Sequence, residues 1–252
     1  MKKKLIKLLK KIPLINHFVY KLTNIFWYGS LQRKQYVVLN NKKLIYLVNA
    51  KVACSSIKQS LINEKVKDSY EIHKKKFNVI YKLNPEHNYF FKFAFVRNPF
   101  DRLVSCYESK YHNDKIKRPN GPFIFDKYLF GALKNDKGFE NFAKRICLIP
   151  DMFADRHFQS QYFQIYKNKK NTLDYVGKFE NIAEDFDFIK NKFKLNDLPH
   201  YNKSGNKNWM DYYDLKLARK IYKRYKKDFI HFGYSGEYEK LNVFLNQKKD
   251  NH

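Results

Sequence analysis

The sequence predicts an α/β fold, a single domain with a central, mostly parallel sheet flanked by helices. Three observations predict it. Short apolar runs alternate with helix-period segments, the pattern of a sheet covered on both faces. Two of the runs break into a polar turn and then into a helical pattern. The chain has 252 residues, 44% hydrophobic and 18% aromatic, enough for one large core despite its charge. The domain is expected over residues 36–240, between a basic amphipathic segment (1–35) and a polar tail (241–252).

In the first segment, lysines at 2, 3, 4, 7, 10 and 11 interrupt every apolar run, and Pro13 breaks the first helix. No run reaches membrane-spanning length, and no small-residue cleavage site follows. A basic amphipathic helix of this kind suits an anionic membrane surface or a place packed on its own domain. Tyr36 to Leu39 and Leu44 to Asn49 read as strands around a turn at Asn40-Asn41. Ser55 to Glu64 reads as a helix and Lys92 to Val96 as a strand. Asn98-Pro99 is a helix start, Asn capping and Pro at the first helical position. Phe100, Leu103, Val104 and Tyr107 then repeat at helical spacing. His112 to Asp126 is a basic loop. Helices are expected over Phe139 to Leu148, Ala154 to Tyr166, Glu180 to Phe193 and Asp211 to Phe232, with a strand at Leu173 to Phe179.

The net charge is +27, from 51 basic and 24 acidic residues. Such an excess implies an acidic partner, whether nucleic acid, anionic membrane, polyanionic glycan or phosphorylated nucleotide. Cys54, Cys106 and Cys147 are odd in number and form no CxxC pair, which indicates neither a disulfide framework nor a metal site and fits a reducing compartment.

Chemistry concentrates at the two strand–turn–helix junctions. In the first, AKVACSSIK, the turn Lys51-Val52-Ala53-Cys54 turns its backbone amides toward one spot. Lys51 adds a cation, and Ser55 and Ser56 add hydroxyls. No glycine is present and the lysine comes first, so this is not a Walker loop, and a nucleoside triphosphatase is disfavoured. In the second, FVRNPFDRLVS, Arg97 stands at the strand exit, where its fork suits a phosphate. Asp101, Arg102 and Ser105 border one side of the helix that follows. Two such junctions suggest a ligand with two separated anionic groups.

KVACSS followed by FVRNPFDRLVS resembles the paired nucleotide loops of the carbohydrate sulfotransferases, a family that includes the chondroitin, dermatan and uronyl 2-O-sulfotransferases. Further pieces are similar in order: DRHFQSQ (Asp155 to Gln161), LDYVGKFENIAEDF (Leu173 to Phe186), LPHYNKS (Leu198 to Ser204) and DFIHFGY (Asp228 to Tyr234). The chain departs from the family pattern at Ala50, Asn98 and Phe158, and it lacks the transmembrane anchor of the animal members. That departure suggests a bacterial relative, cytoplasmic and peripheral at the inner face of the membrane.

The resemblance implies a P-loop-like nucleotide-binding sulfotransferase fold. It implies transfer of a sulfuryl group from 3′-phosphoadenosine 5′-phosphosulfate to a sugar hydroxyl, without a metal, by in-line displacement. Lys51 would stabilise the leaving phosphate, and residues 52–56 would hold the 5′ end. Arg97, Arg102 and Ser105 would clamp the 3′-phosphate, and Lys203 and Ser204 would close over it. His73 is the first choice as general base and His157 the second. The expected acceptor is a carbohydrate of anionic character, with Lys115, Lys117 and Arg118 of the basic loop available to it. Nucleic acid is not expected, since no nucleic-acid-binding motif is present. The competing reading is a basic polyanion-binding protein without catalysis, which leaves the two junctions unexplained.

Overall fold

The computed structural model describes residues 24–25, 30–64, 66, 69–110, 128, 132–133, 138–199 and 208–250. A five-stranded sheet forms the centre. Strand β1 (Tyr36–Leu39) turns through a short 3-10 segment, Asn40–Lys42, into β2 (Leu44–Leu47). So short a connection forces the two strands antiparallel. Helix α1 (Cys54–Ser60), helix α2 (Ser69–Lys74) and the two-residue β3 (Val79–Ile80) follow, and β3 pairs antiparallel with β1. Strand β4 (Phe91–Val96) lies parallel to β2 and leads into α3 (Pro99–Lys110). Helices α4 (Gly138–Cys147) and α5 (Gln161–Ile165) precede a small hairpin of β5 (Tyr166–Lys167) and β6 (Lys170–Asn171). Strand β7 (Tyr175–Lys178), parallel to β4, closes the sheet in the order β3-β1-β2-β4-β7. Helices α6 (Ile182–Phe193), α7 (Leu215–Arg224), α8 (Lys226–His231) and α9 (Ser235–Asp250) complete the fold.

Several expectations are corrected, among them the helix expected over 154–166, which is confined to Gln161–Ile165. The sheet is mixed rather than mostly parallel: β2, β4 and β7 run together, while β1 opposes both β2 and β3. The long helix expected over 211–232 is broken. Asp214 caps α7 by accepting from Leu217 N at 2.6 Å, and the chain leaves helical geometry at Tyr225, whose hydroxyl is tied to Phe158 O. The expected polar tail is the second half of α9, which buries Leu241 and Leu245. At the other end, Ser30 to Gln35 belongs to the domain, since Leu31 N donates to Met152 O and Gln32 to Asp155. The rest of the amphipathic segment and the basic loop fall almost wholly outside the described residues.

Apolar residues cover both faces of the sheet. Leu44 and Tyr46 face Val52, Ile57, Phe186 and Ile189, while Ile45 and Leu47 face the larger cluster with Phe100, Phe142 and Phe229. This is why LIYL is apolar without alternation. Gly177 of β7 stands opposite Phe95 of β4, and a Cβ there would come within 2.8 Å of Phe95 Cδ1.

Candidate functional site

The chain leaves β2 into a tight turn. Lys51 (φ 69°) and Ala53 (φ 48°) both take left-handed backbone, where glycine is the ordinary occupant. Val52 between them is fully buried. The turn therefore reaches a glycine-like geometry without glycine.

The second junction packs against this turn. Arg97 Nη1 donates to Lys51 O (3.3 Å), and Arg102 Nε donates to Ala50 O (3.0 Å). Lys51 Nζ crosses to α3 and donates to Ser109 Oγ at 2.6 Å. The two motifs, some forty residues apart in sequence, thus pack into one candidate site with Lys51, Arg97 and the α3 face of Asp101, Ser105 and Ser109. Arg97 is nearly buried: Asp101 accepts from its Nε at 2.7 Å, and its guanidinium lies 4.1 Å from the centre of the Phe179 ring. Ser105 is half-buried on the same helix.

Arg102 is turned inward. It is 2% exposed, and besides Ala50 its guanidinium donates to Gln159 O, Arg156 O and Asn49 Oδ1. Its visible role is to tie the turn to the 156–159 loop. Ser56 is likewise buried in α1, whereas Ser55 and Cys54 are half-exposed.

Beneath the cleft lies a buried polar hub. Gln161 accepts from Arg97 N and Asn49 Nδ2 and donates back to Arg97 O. Asp228 accepts from the backbone N–H groups of Gln161 and Tyr162. Burial pushes its carboxyl up to about 6, against those hydrogen bonds and the nearby Arg102. Glu180 bridges Asn98 N and the Tyr234 hydroxyl, and Glu237 accepts from Asn98 Nδ2. Asn98 itself caps α3 as expected, accepting from Phe100 N.

Two histidines flank the turn. His73, exposed on α2, has Nε2 3.0 Å from Ser55 Oγ. His157 is mostly buried, with Nδ1 2.5 Å from Asp155 Oδ1. Burial works against the charge on Asp155, yet His157 and Arg156 outweigh it and hold the carboxyl below its ordinary value. Lys203 and Ser204, and with them Lys115, Lys117 and Arg118, lie outside the described residues.

Sequence reasoning passed over Ser109, Lys58 and the hub. Ser109 stands one turn beyond Ser105 on the same face, a spacing visible in the sequence. Lys58, one turn into α1, is 8% exposed, with Nζ 5.4 Å from the centre of the Phe77 ring. Burial lowers its pKa; Cys54 opposes that shift and Arg156 adds to it.

The fold is an α/β protein in which two strand–turn–helix junctions bring Lys51, Arg97 and Arg102 together at the strand ends. The model of the sulfotransferase family matches residues 34–235, and the chain belongs to that family. The resemblance to carbohydrate sulfotransferases is borne out by individual relatives. Carbohydrate sulfotransferase 11 of Rattus norvegicus is 26% identical over 238 residues, 80% of this chain and 67% of its own length. Carbohydrate sulfotransferase 14 of Danio rerio is 26% identical over 239 residues, covering 82% and 65%. Carbohydrate sulfotransferase 10 of Xenopus laevis is 26% identical over 170 residues, covering 58% and 48%. The chain spans about half the length of this last relative. No solved structure matches it.

Proposed function

We propose that the protein transfers a sulfuryl group from 3′-phosphoadenosine 5′-phosphosulfate to a hydroxyl of a carbohydrate: a polysaccharide, glycolipid or lipopolysaccharide. The observation that carries this reading is the packing of the Arg97 junction against the Lys51 turn, which brings two cationic side chains together for a ligand with two anionic ends. A P-loop-like role for the turn is supported by its two left-handed residues, a backbone geometry that suits anion-binding turns.

In this mechanism the turn 51–55 holds the 5′-phosphosulfate, with Ser55 as hydroxyl donor and Lys58 adding charge. Arg97 and Ser105 hold the 3′-phosphate. His73 takes the proton from the acceptor hydroxyl as that oxygen bonds to sulfur. The bond from sulfur to the bridging oxygen breaks, and Lys51 stabilises the charge left on the phosphate. As in phosphoryl transfer, positioning and electrostatics supply most of the rate. His157, oriented by Asp155, positions the loop that Arg102 ties to the turn. The basic residues N-terminal to Ser30 are proposed to rest on the anionic inner face of a membrane. Co-sedimentation with anionic vesicles tests this, and equal binding to neutral vesicles would refute it.

The central test is thermal shift with adenosine 3′,5′-bisphosphate against ATP and a DNA oligomer, followed by labelled donor on a panel of glycans. Preferential stabilisation by the bisphosphate and label transfer to a glycan are expected. Preference for ATP or DNA overturns the reading. Near-full activity in His73→Ala removes that residue as the base.

A further inference from the structure

Helix α7 carries a second concentration of charge that the donor cleft does not use. Its sequence LKLARKIYKR places Lys216, Arg219, Lys220 and Lys223 at i, i+3, i+4 and i+7, one stripe along the helix. All four are exposed, while Leu217, Ala218 and Ile221 on the other side are buried. The stripe forms one wall of a cleft of about 750 Å³ whose other wall is α9, through Asn242 and Asn246. No carboxylate is among the residues lining it.

Three neighbouring cations on these elements are paired: Arg224 with Asp151, Lys240 with Glu237 and Lys248 with Asp211. The four of the stripe take part in no ion pair among the described residues. Like charges at these spacings disfavour a helix. An anionic chain laid along the stripe relieves that repulsion.

The chemistry of the walls selects among polyanions. Four cations spread over eight residues, about 10 Å of helix, suit a row of charges rather than a single phosphate. The facing amides offer both donors and acceptors, which suits hydroxyl-bearing rings. Tyr238, the aromatic residue of the lining, is stacked on Tyr222 (4.5 Å) and lies over Phe100 (6.4 Å), so its faces serve the interior. The cleft therefore offers no ring on which nucleic-acid bases could stack.

We propose that the α7–α9 cleft binds an anionic polysaccharide, with Lys216, Arg219, Lys220 and Lys223 holding its carboxylates or sulfates and Asn242 and Asn246 its hydroxyls. Choosing a glycan over other polyanions rests on the carbohydrate-acceptor reading above. Helix α9 starts at the second junction, where Glu237 holds Asn98. A polymer seated in the cleft is thus tethered to an element of the donor site, which raises the local concentration of acceptor ends.

The test is binding of labelled non-sulfated chondroitin, with neutral dextran and a single-stranded DNA oligomer as comparisons, between about 50 and 200 mM salt. Chondroitin is expected to bind with an affinity that falls with salt. The combined K216Q, R219Q, K220Q and K223Q variant is expected to lose about tenfold or more, since several exposed contacts of small individual worth vanish together. Its thermal shift with adenosine 3′,5′-bisphosphate should match the wild type, which separates failure of the cleft from failure of the donor reading. Unchanged chondroitin affinity in this variant overturns the proposal. So does equal binding of dextran, or tighter binding of DNA that the same substitutions abolish. A second variant, Asn242→Asp with Asn246→Asp, places carboxylates opposite the stripe and should weaken chondroitin binding without touching the four cations. Retained affinity there also counts against the cleft.

Discussion

Lys51 and Ala53 sit in left-handed backbone without being glycine, a conformation that costs roughly 1 kcal/mol or more for each residue. The strain persists because the surroundings fix the turn: Ala50 O and Lys51 O accept from two guanidinium groups, and Val52 is sealed in the core. Ala53→Gly is accordingly expected to leave stability within about 1 kcal/mol. Ala53→Val, whose branched side chain resists positive φ, should lose about 2 kcal/mol in urea denaturation and weaken bisphosphate binding. Equal melting of the two variants would show that the turn is not strained. Lys51 and Arg102 separate site from scaffold. With its side chain half-exposed, Lys51→Ala should keep the fold while transfer from labelled donor drops about 100-fold or more. Arg102→Met strands several buried acceptors and should lose about 3 kcal/mol or more, so circular dichroism melts distinguish the two roles.

On top of the apolar packing of helices on the sheet, distant elements are tied together by single polar side chains. Gln161, at the start of α5, satisfies the strand end at Arg97 and the side chain of Asn49. Gln161→Leu leaves the Arg97 N–H, the Arg97 carbonyl and one N–H of the Asn49 amide without their partner and should lose about 3 kcal/mol, measured by urea denaturation. An unchanged midpoint would mean that water replaces the side chain. The strands themselves were legible because both faces of the sheet are covered, which makes Leu44–Leu47 and Phe93–Val96 uninterrupted apolar runs. Asn98-Pro99 announced α3 through capping chemistry alone. The direction of β1 was readable from its short connection to β2, yet alternation of strands and helices elsewhere suggested a parallel sheet. The break at Tyr225 was not readable, because the apolar period runs on through Phe229 while the break is set by contacts of Tyr225 and Asp228 with a distant segment. The junctions of the site were legible for the same local reason as the caps. The hub was not: Asn49, Gln161 and Asp228 are isolated polar residues in three segments, and nothing local marks a bond between Arg97 and a side chain 64 residues away.

At the scale of the whole molecule, Asp228 links helices α8 and α5 and, through Gln161, the two junctions, so its protonation bears on global unfolding. Burial raises its carboxyl to about 6 in the folded protein, whereas an unfolded aspartate titrates near about 3.9. Between those values the folded state holds a proton that the unfolded chain has released. Stability from this group is therefore complete below about pH 4 and declines as pH rises toward 6, by about 3 kcal/mol at most. Asp155 acts in the opposite sense. Its carboxyl is held below the ordinary value, so its contribution is present above about pH 4 and fades as pH falls further. Self-repulsion of a chain with net charge +27 grows in the same acidic range. Subtracting one denaturation profile from another isolates Asp228, because Asp155 and the general charge are common to both proteins. Asp228→Asn loses one acceptor for the paired N–H groups of Gln161 and Tyr162 and is expected to be less stable at acidic pH. Its deficit relative to wild type, read from urea midpoints, should be largest near pH 4 and shrink or reverse by pH 7. A deficit that widens across that interval would show the two backbone hydrogen bonds outweighing burial, with Asp228 acting as a permanently charged anchor beneath the cleft.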